Sequence, residues 1–175
     1  MKVILDSKQI RTRTEDMARQ IAADTPAGSA LAVVGIRSRG EVLAQRLAAQ
    51  VAQKTGQDVP CGTLDITLYR DDLNSPHRSA HPEVRTTDIA FNVDDKVIVL
   101  VDDVLFTGRS TRAALDALID LGRPKAIRLA VLIDRAGREF PIQADYAGIK
   151  TNISPDQRVY VHLMESDGRD EVVVE

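Results

Sequence analysis

A chain of 175 residues, 43% of them hydrophobic, is long enough to bury the core of one domain. Its 26 acidic and 23 basic residues give a net charge of −3, which excludes a globally basic nucleic-acid binder but leaves room for a local basic face. The single cysteine, Cys61, excludes an internal disulfide, and the scarcity of aromatics, with no Trp, argues against base-stacking platforms.

Cys61 is expected to be a small buried residue beside a strand rather than a catalytic thiol. There is no apolar run of membrane-spanning length and no signal-peptide pattern at the N-terminus, so the expected location is cytoplasmic, with no membrane partner. In chain order, Ser7 can cap a first helix with Ile10, Met17, Ala18 and Ile21 on one face, and Gly28 closes that segment. Arg11, Arg13 and Arg19 on the other face read as a solvated charged surface. Ala30 to Ile36 is an apolar strand running into Gly35-Ile36-Arg37-Ser38-Arg39-Gly40. A helix follows with Val42, Leu43, Leu47 and Val51 at helical spacing, ended by Gly56. Two arginines and backbone N–H groups at the carboxyl end of a strand suit a polyanion such as pyrophosphate. Taken alone, a turn with its arginines in water explains the same residues better.

Thr63 to Tyr69 alternates as a half-buried strand. Residues 70–87 then lose all periodicity and carry Asp71, Asp72, His77, Arg78, His81 and Arg85. So long a loop in a compact domain suits a lid; its histidines are given no role.

Val97 to Val101 is a continuous apolar run, the pattern of a strand covered on both faces in a parallel sheet. It ends in Asp102 and Asp103, followed by a loop with Thr107, Gly108, Ser110 and Thr111. A helix from Arg112 to Leu121 turns Ala114, Leu115, Leu118 and Leu121 inward, with Gly122 at its C-cap and Pro124 beyond. Hydroxyls, a glycine and free N–H groups before a helix N-terminus suit a phosphate. Two acids beside it make sense if they accept sugar hydroxyls or face a divalent cation. An ordinary turn, capped by Thr107 or Ser110, fits the loop alone about as well. It is neither a Walker A loop nor a G-x-G-x-x-G fingerprint.

Ala126 to Ile133 is another buried strand, ending in the charged turn Asp134-Arg135-Ala136-Gly137-Arg138-Glu139. Asp134 and Arg135 fit a structural ion pair nearly as well as a ligand contact. Val159 to Met164 and Glu171 to Val174 read as a terminal hairpin around Asp167-Gly168. Alternating strands and helices imply right-handed crossovers and a mainly parallel sheet.

The stretch from Val97 to Thr111 resembles the phosphoribosyl-pyrophosphate (PRPP) signature of type I phosphoribosyltransferases. Leu64-Asp65-Ile66-Thr67-Leu68-Tyr69-Arg70-Asp71-Asp72-Leu73, Val101-Asp102-Asp103-Val104-Leu105-Phe106-Thr107-Gly108-Arg109 and Leu121-Gly122-Arg123-Pro124 resemble, more narrowly, the PyrR family. Those proteins are bacterial pyrimidine-operon attenuators that are also uracil phosphoribosyltransferases. The match runs from about Val3 to Tyr146 and weakens beyond. The resemblance implies an α/β type I phosphoribosyltransferase fold: a mainly parallel central sheet flanked by helices, in one domain over residues 1–175. A small hood would come from the N-terminal and 134–160 segments, and a long flexible loop from about 70–87.

The resemblance also implies roles. Asp102 and Asp103 would hold the ribose hydroxyls, directly or through water on a Mg²⁺ carried by PRPP. Val104, Leu105, Phe106, Thr107, Gly108, Arg109, Ser110 and Thr111 would cradle the 5′-phosphate. Arg39 and Gly40 would meet pyrophosphate, with Arg39 a catalytic residue beside the acid pair. Arg70 and Arg85 would reach the phosphates from the lid, and Asp134, Arg135 and Val159 would lie at the base. Phe106 stands where purine enzymes of the superfamily commonly place an Asp for the purine N7, which points to a pyrimidine. The implied reaction is uracil plus PRPP giving UMP plus pyrophosphate.

The family also binds pyrimidine-operon leader mRNA in response to UMP, for which Arg19, Arg138 and Lys150 are the candidate residues here. Glu15 and Asp16 stand where better-known members carry uncharged or basic residues, Gly137 replaces a His, and residues 148–155 depart from the family pattern. Two alternatives therefore stand beside the bifunctional reading: an enzyme without attenuation, or a regulator with vestigial catalysis. A homodimer, or a higher homo-oligomer, is implied.

Overall fold

In the computed structural model of the chain, residues 1–72 and 87–175 are described. The chain opens with β1 (Lys2–Leu5) and α1 (Ser7–Asp24), then β2 (Leu31–Ile36), α2 (Arg39–Thr55) and β3 (Cys61–Leu64). A 3₁₀ turn at Thr67–Tyr69 follows. Beyond it come β4 (Val97–Leu105), α3 (Arg109–Leu121), β5 (Ala126–Arg135) and β6 (Tyr146–Thr151). The C-terminal part is β7 (Val159–His162), the short α4 (Met164–Asp167) and β8 (Glu171–Val174).

The central sheet has the order β3-β2-β4-β5-β6, and every neighbouring pair in it is parallel. Successive strand residues point to opposite faces, so each apolar run feeds two cores. Val33, Val99, Val101, Ala130 and Leu132 pack with Ile10, Met17 and Ile21 of α1 and Leu43, Leu47 and Val51 of α2. Ala32, Val34, Ile98, Leu100, Leu129 and Val131 pack with Ala113, Ala114, Ala117 and Leu118 of α3. Each fully buried Leu, Ile or Val in these layers stabilises by about 1.5–3 kcal/mol relative to exposure. The small side chains at 113, 114 and 117 let α3 lie close to the sheet.

From β2 the chain moves outward to β3, and from β4 it moves the other way to β5 and β6. The strand order therefore reverses between β2 and β4, and the crevice beyond their carboxyl ends is where an open α/β sheet takes its ligand. The first turn of α2 presses onto this point. A Cβ built at Gly40 would stand 2.5 Å from the Val101 carbonyl oxygen and 3.2 Å from Asp102 Cα. Gly40 is thus required for close approach, not for an unusual backbone conformation.

Several boundaries differ from the sequence expectations. Asp6, not Ser7, caps α1: its side chain accepts from the Gln9 N–H at 2.8 Å while the Gln9 side chain accepts from the Asp6 N–H at 2.9 Å, a capping box. The strand expected over Thr63–Tyr69 stops at Leu64, because the Asp65 carboxylate accepts from both the N–H and the hydroxyl of Thr67 and bends the chain into the 3₁₀ turn. β4 runs through the acid pair to Leu105, and β5 runs two residues beyond Ile133. α3 begins at Arg109 with left-handed Gly108 (φ 92) as its N-cap; Ser110 lies inside the helix, and Thr107, one residue before the N-cap, accepts from the first helical N–H.

Cys61 is exposed at the start of edge strand β3, not buried, and desolvation of its thiol, with Glu41 nearby, pushes its pKa up to about 11. Two strands were not anticipated. β1 joins the expected C-terminal hairpin in an antiparallel sheet of order β1-β8-β7. β6, within the segment assigned to a hood, is the fifth strand of the central sheet; only Tyr146 of it is fully buried, so it lacks the apolar run of its neighbours. Residues 73–86, with His77, Arg78, His81 and Arg85 of the expected lid, lie outside the described residues. Among the described residues, no helix is long and apolar enough to cross a membrane.

Candidate active site

At the end of β4 the two acids fold back on the backbone. Asp102 accepts from the Asp103 N–H at 2.9 Å, and Asp103 accepts from the Val104 N–H at 2.9 Å. Burial, and then the negative charge of Asp103, push the Asp102 carboxyl well above the usual carboxylate range. Paired carboxylates so placed attract donors: sugar hydroxyls, water, or a cation. Among the described residues no cluster of three or more His, Cys, Asp or Glu could hold a metal ion by itself. The two carboxylates by themselves supply acceptors for hydroxyls or water.

Beyond the acids, the left-handed turn at Gly108 swings the chain into α3. The first-turn N–H groups of a helix have no acceptor within the helix and carry its positive dipole end. They open onto a cavity of about 150 Å³ lined by Val104, Leu105, Phe106, Thr107, Gly108, Ser110 and Thr111. A second cavity of about 190 Å³ adjoins it, between Thr107, Arg109, Ser110 and the segment Arg70–Asp72. The Thr107 hydroxyl accepts from the Arg109 N–H at 3.3 Å. Arg109 itself turns its guanidinium to Glu139 (2.8 Å) and Asp71, and lies 4.9 Å over the Phe140 ring. A larger cavity, about 280 Å³, lies at the opposite end of the sheet beside Leu31, Val97 and Ala126, far from the acid pair.

The loop after β2 sits against the acids through Gly40. The Arg37–Ser38 peptide is cis, and the Arg37 N–H donates to the Leu64 carbonyl at 3.0 Å. The two arginines are not turned to water: Arg37 reaches Glu41 (3.0 Å) and the Thr63 hydroxyl (3.3 Å). Arg39 reaches the Val161 carbonyl and Asp167, both at 2.9 Å. Each guanidinium thus has protein acceptors, while the Arg39 side chain stays 37% exposed.

On the far side of Phe106 the turn after β5 is built from arginine forks. Arg135, only 5% exposed, donates to the carbonyls of Gln157 (2.9 Å) and Ser154 (2.6 Å), and its guanidinium carbon lies 4.1 Å over the Phe106 ring. The Asp134–Arg135 ion pair considered from sequence does not form. Strand residues one apart face opposite ways, and Asp134 pairs instead with Arg138 at 2.6 Å. Arg138 also donates to the Ile142 carbonyl at 2.8 Å and to the Phe106 carbonyl. Gly137 (φ 116) lies so close to Phe106 that any Cβ there would enter the ring. Val159 opens β7, partly buried against the core cluster that also takes Val104.

Of the residues considered for RNA, Arg19 is exposed and paired with Asp16 at 2.8 Å, and Lys150 is exposed on β6. Arg138 is turned inward. The parts played by Asp167, Glu139 and Phe140 are not legible in the sequence, because their partners lie 30 or more residues away. Asp167-Gly168 read only as a turn.

A family model of the phosphoribosyl transferase domain matches residues 1–164. The bifunctional protein PyrR of Pelotomaculum thermopropionicum is 51% identical over 172 residues, covering 98% of this chain and 93% of its own. That of Bacillus cereus is 45% identical over 172 residues, covering 98% and 96%. The likeness thus extends past Tyr146 into the C-terminal part. Among solved structures, a hypoxanthine-guanine phosphoribosyltransferase from Bacillus anthracis matches with a TM-score of 0.71 at 18% identity, covering 100% of this chain and 97% of that one. The Trypanosoma cruzi hypoxanthine phosphoribosyltransferase with its product IMP matches at 0.73 and 19%, covering 99% and 92%. At such identities the structures establish the fold alone. Fold and relatives agree: the chain belongs to the PyrR family of type I phosphoribosyltransferases.

Proposed function

We propose that the protein transfers the 5-phosphoribosyl group of PRPP to uracil, giving UMP and pyrophosphate, and regulates pyrimidine operon expression by UMP-dependent binding to leader mRNA. The observation that carries the enzymatic part is the continuity of Asp102 and Asp103 with the Gly108 turn and the start of α3. Sugar-hydroxyl acceptors and phosphate donors follow one another along a single strand end.

In the reaction the C1–O bond to pyrophosphate breaks with oxocarbenium character and a C1–N bond to the base forms. No protein nucleophile is needed; the chain must align two ligands and stabilise separating charge. The N–H groups and hydroxyls of Thr107–Thr111 hold the 5′-phosphate, and Asp102 and Asp103 hold the ribose hydroxyls. Phosphoribosyltransferases generally use PRPP with Mg²⁺; Asp102 and Asp103 would meet that ion through water, and it would supply positive charge to the pyrophosphate. The Arg37–Gly40 loop receives the pyrophosphate. Phe106, fixed between Arg135 and Gly137, borders the base and offers no acceptor for a purine N7–H, whereas an Asp there would.

The RNA-binding part is supported by family membership and by the exposed Arg19 and Lys150, on α1 and its neighbour β6. Arg138 serves it only by giving up its contacts to Asp134, Ile142 and Phe106. The protein acts in the cytoplasm, as a homodimer or higher homo-oligomer. The test is a PRPP-dependent ribosylation assay across uracil, orotate, hypoxanthine and guanine, in which turnover with uracil alone is expected and turnover with a purine overturns the base assignment. Retention of a pyrimidine-leader RNA by UMP at moderate salt, lost at high salt, tests the regulatory part.

A further inference from the structure

The pyrophosphate loop is tied to the C-terminal sheet by one clasp. Arg39 Nε donates to the Val161 carbonyl at 2.9 Å and a terminal nitrogen donates to Asp167 Oδ1 at 2.9 Å, while the other Asp167 oxygen accepts the Leu163 N–H at 2.9 Å. The far end of the clasp is rigid, because Val161 and Leu163 are 2% and 0% exposed. Its near end is the first residue of α2, flanked by Ser38 on one side and by Gly40, against Val101 and Asp102, on the other. His162 approaches Asp167 Oδ1 at 4.0 Å and adds no closer contact. The Leu163 N–H and the Arg39 guanidinium both hold the Asp167 carboxyl below the usual carboxylate range, so it is an anion at neutral pH.

We propose that Asp167 is a positioning residue for phosphoribosyl transfer: through Arg39 it fixes the Arg37–Gly40 loop over the acid pair, and Arg39 acts by this clasp and not as a side-chain ligand of pyrophosphate. Both donor edges of Arg39 used here are committed to protein acceptors, one a fixed strand carbonyl and one a carboxylate. An arginine serving the leaving group directly would present that fork to the crevice. The inference rests on the phosphoribosyltransferase reading of the site.

The test is a double-mutant cycle on the full chain with Asp167→Asn, Arg39→Ala and the pair. It measures kcat, the KM values of PRPP and uracil, and the KM of pyrophosphate in the reverse reaction. Asp167→Asn is close to isosteric and is expected to raise the KM of PRPP and of pyrophosphate roughly tenfold, since an ångström of misplacement can cost up to about a hundredfold. The KM of uracil should stay within about twofold, a split that a general loss of folding would not produce. The double variant should be no worse than Arg39→Ala alone, as contacting partners are non-additive. Arg39→Lys, which cannot span both acceptors, should behave like Asp167→Asn. A normal PRPP KM in Asp167→Asn, or a double variant equal to the product of the singles, overturns the proposal while leaving the enzyme assignment intact. A wild-type protein without turnover would overturn both.

Discussion

Replacing Gly40 by Ala separates packing at the site from stability of the fold. The new Cβ would stand 2.5 Å from the Val101 carbonyl oxygen, whereas carbon–oxygen contacts settle at roughly 3.3–3.6 Å. The start of α2 must therefore withdraw from β4 by about 0.8–1.1 Å, carrying the pyrophosphate loop away from Asp102. Overpacking of this kind costs about 1–3 kcal/mol, while Ala recovers about 0.5–1 kcal/mol of the conformational penalty of a helical Gly. The net loss is at most about 2.5 kcal/mol, a fall in Tm of no more than about 10 °C for a chain of this size. Displacement by about an ångström should nonetheless lower kcat/KM for PRPP by about a hundredfold. Steady-state kinetics with PRPP and uracil, beside a thermal melt, read both quantities. A variant with kcat/KM within about threefold of wild type would refute the claim that this contact sets the loop against the acids.

Asp102→Asn should reduce turnover by about 10²–10³-fold yet stabilise the protein at neutral pH by on the order of 1 kcal/mol, as relief of a functional acid commonly does. The sign follows from the raised carboxyl pKa. The folded state holds a proton that the unfolded chain has released, so the stability contributed by Asp102 is full below the unfolded value and is lost as pH rises through the folded one. Melts across pH would show wild type losing stability over that window and the variant not; equal slopes would contradict the raised carboxyl of Asp102. Arg135→Ala should destabilise by about 3 kcal/mol, because it leaves the Gln157 and Ser154 carbonyls unpaired and the Phe106 ring unsupported. Arg135→Lys should not rescue it, since an ammonium lacks the fork; denaturant titration checks both.

Sequence patterns disclosed the strands that are buried on both faces. β2, β4 and β5 are continuous apolar runs, and their carboxyl-end loops were placed where the structure has them. Edge strands gave weaker signals: β6 has a single fully buried residue, and β3 yields after four residues to the turn made by Asp65. The acid pair and the Gly108 turn were legible because they are contiguous in the chain. The support behind them was not. Arg39 with Asp167, Arg109 with Glu139, and Arg135 with Ser154 and Gln157 are long-range contacts that no local spacing encodes. Arg37 and Arg39, in the Gly-flanked turn after β2, looked like ligands for a polyanion, and in the folded chain both also reach acceptors in the protein.

The most direct measurement is a crystal structure of the protein with UMP. The 5′-phosphate is expected on the N–H groups and hydroxyls of Thr107–Thr111, the ribose hydroxyls on Asp102 and Asp103, and the uracil beside Phe106. A nucleotide bound elsewhere, with the end of β4 left to solvent, would contradict the account.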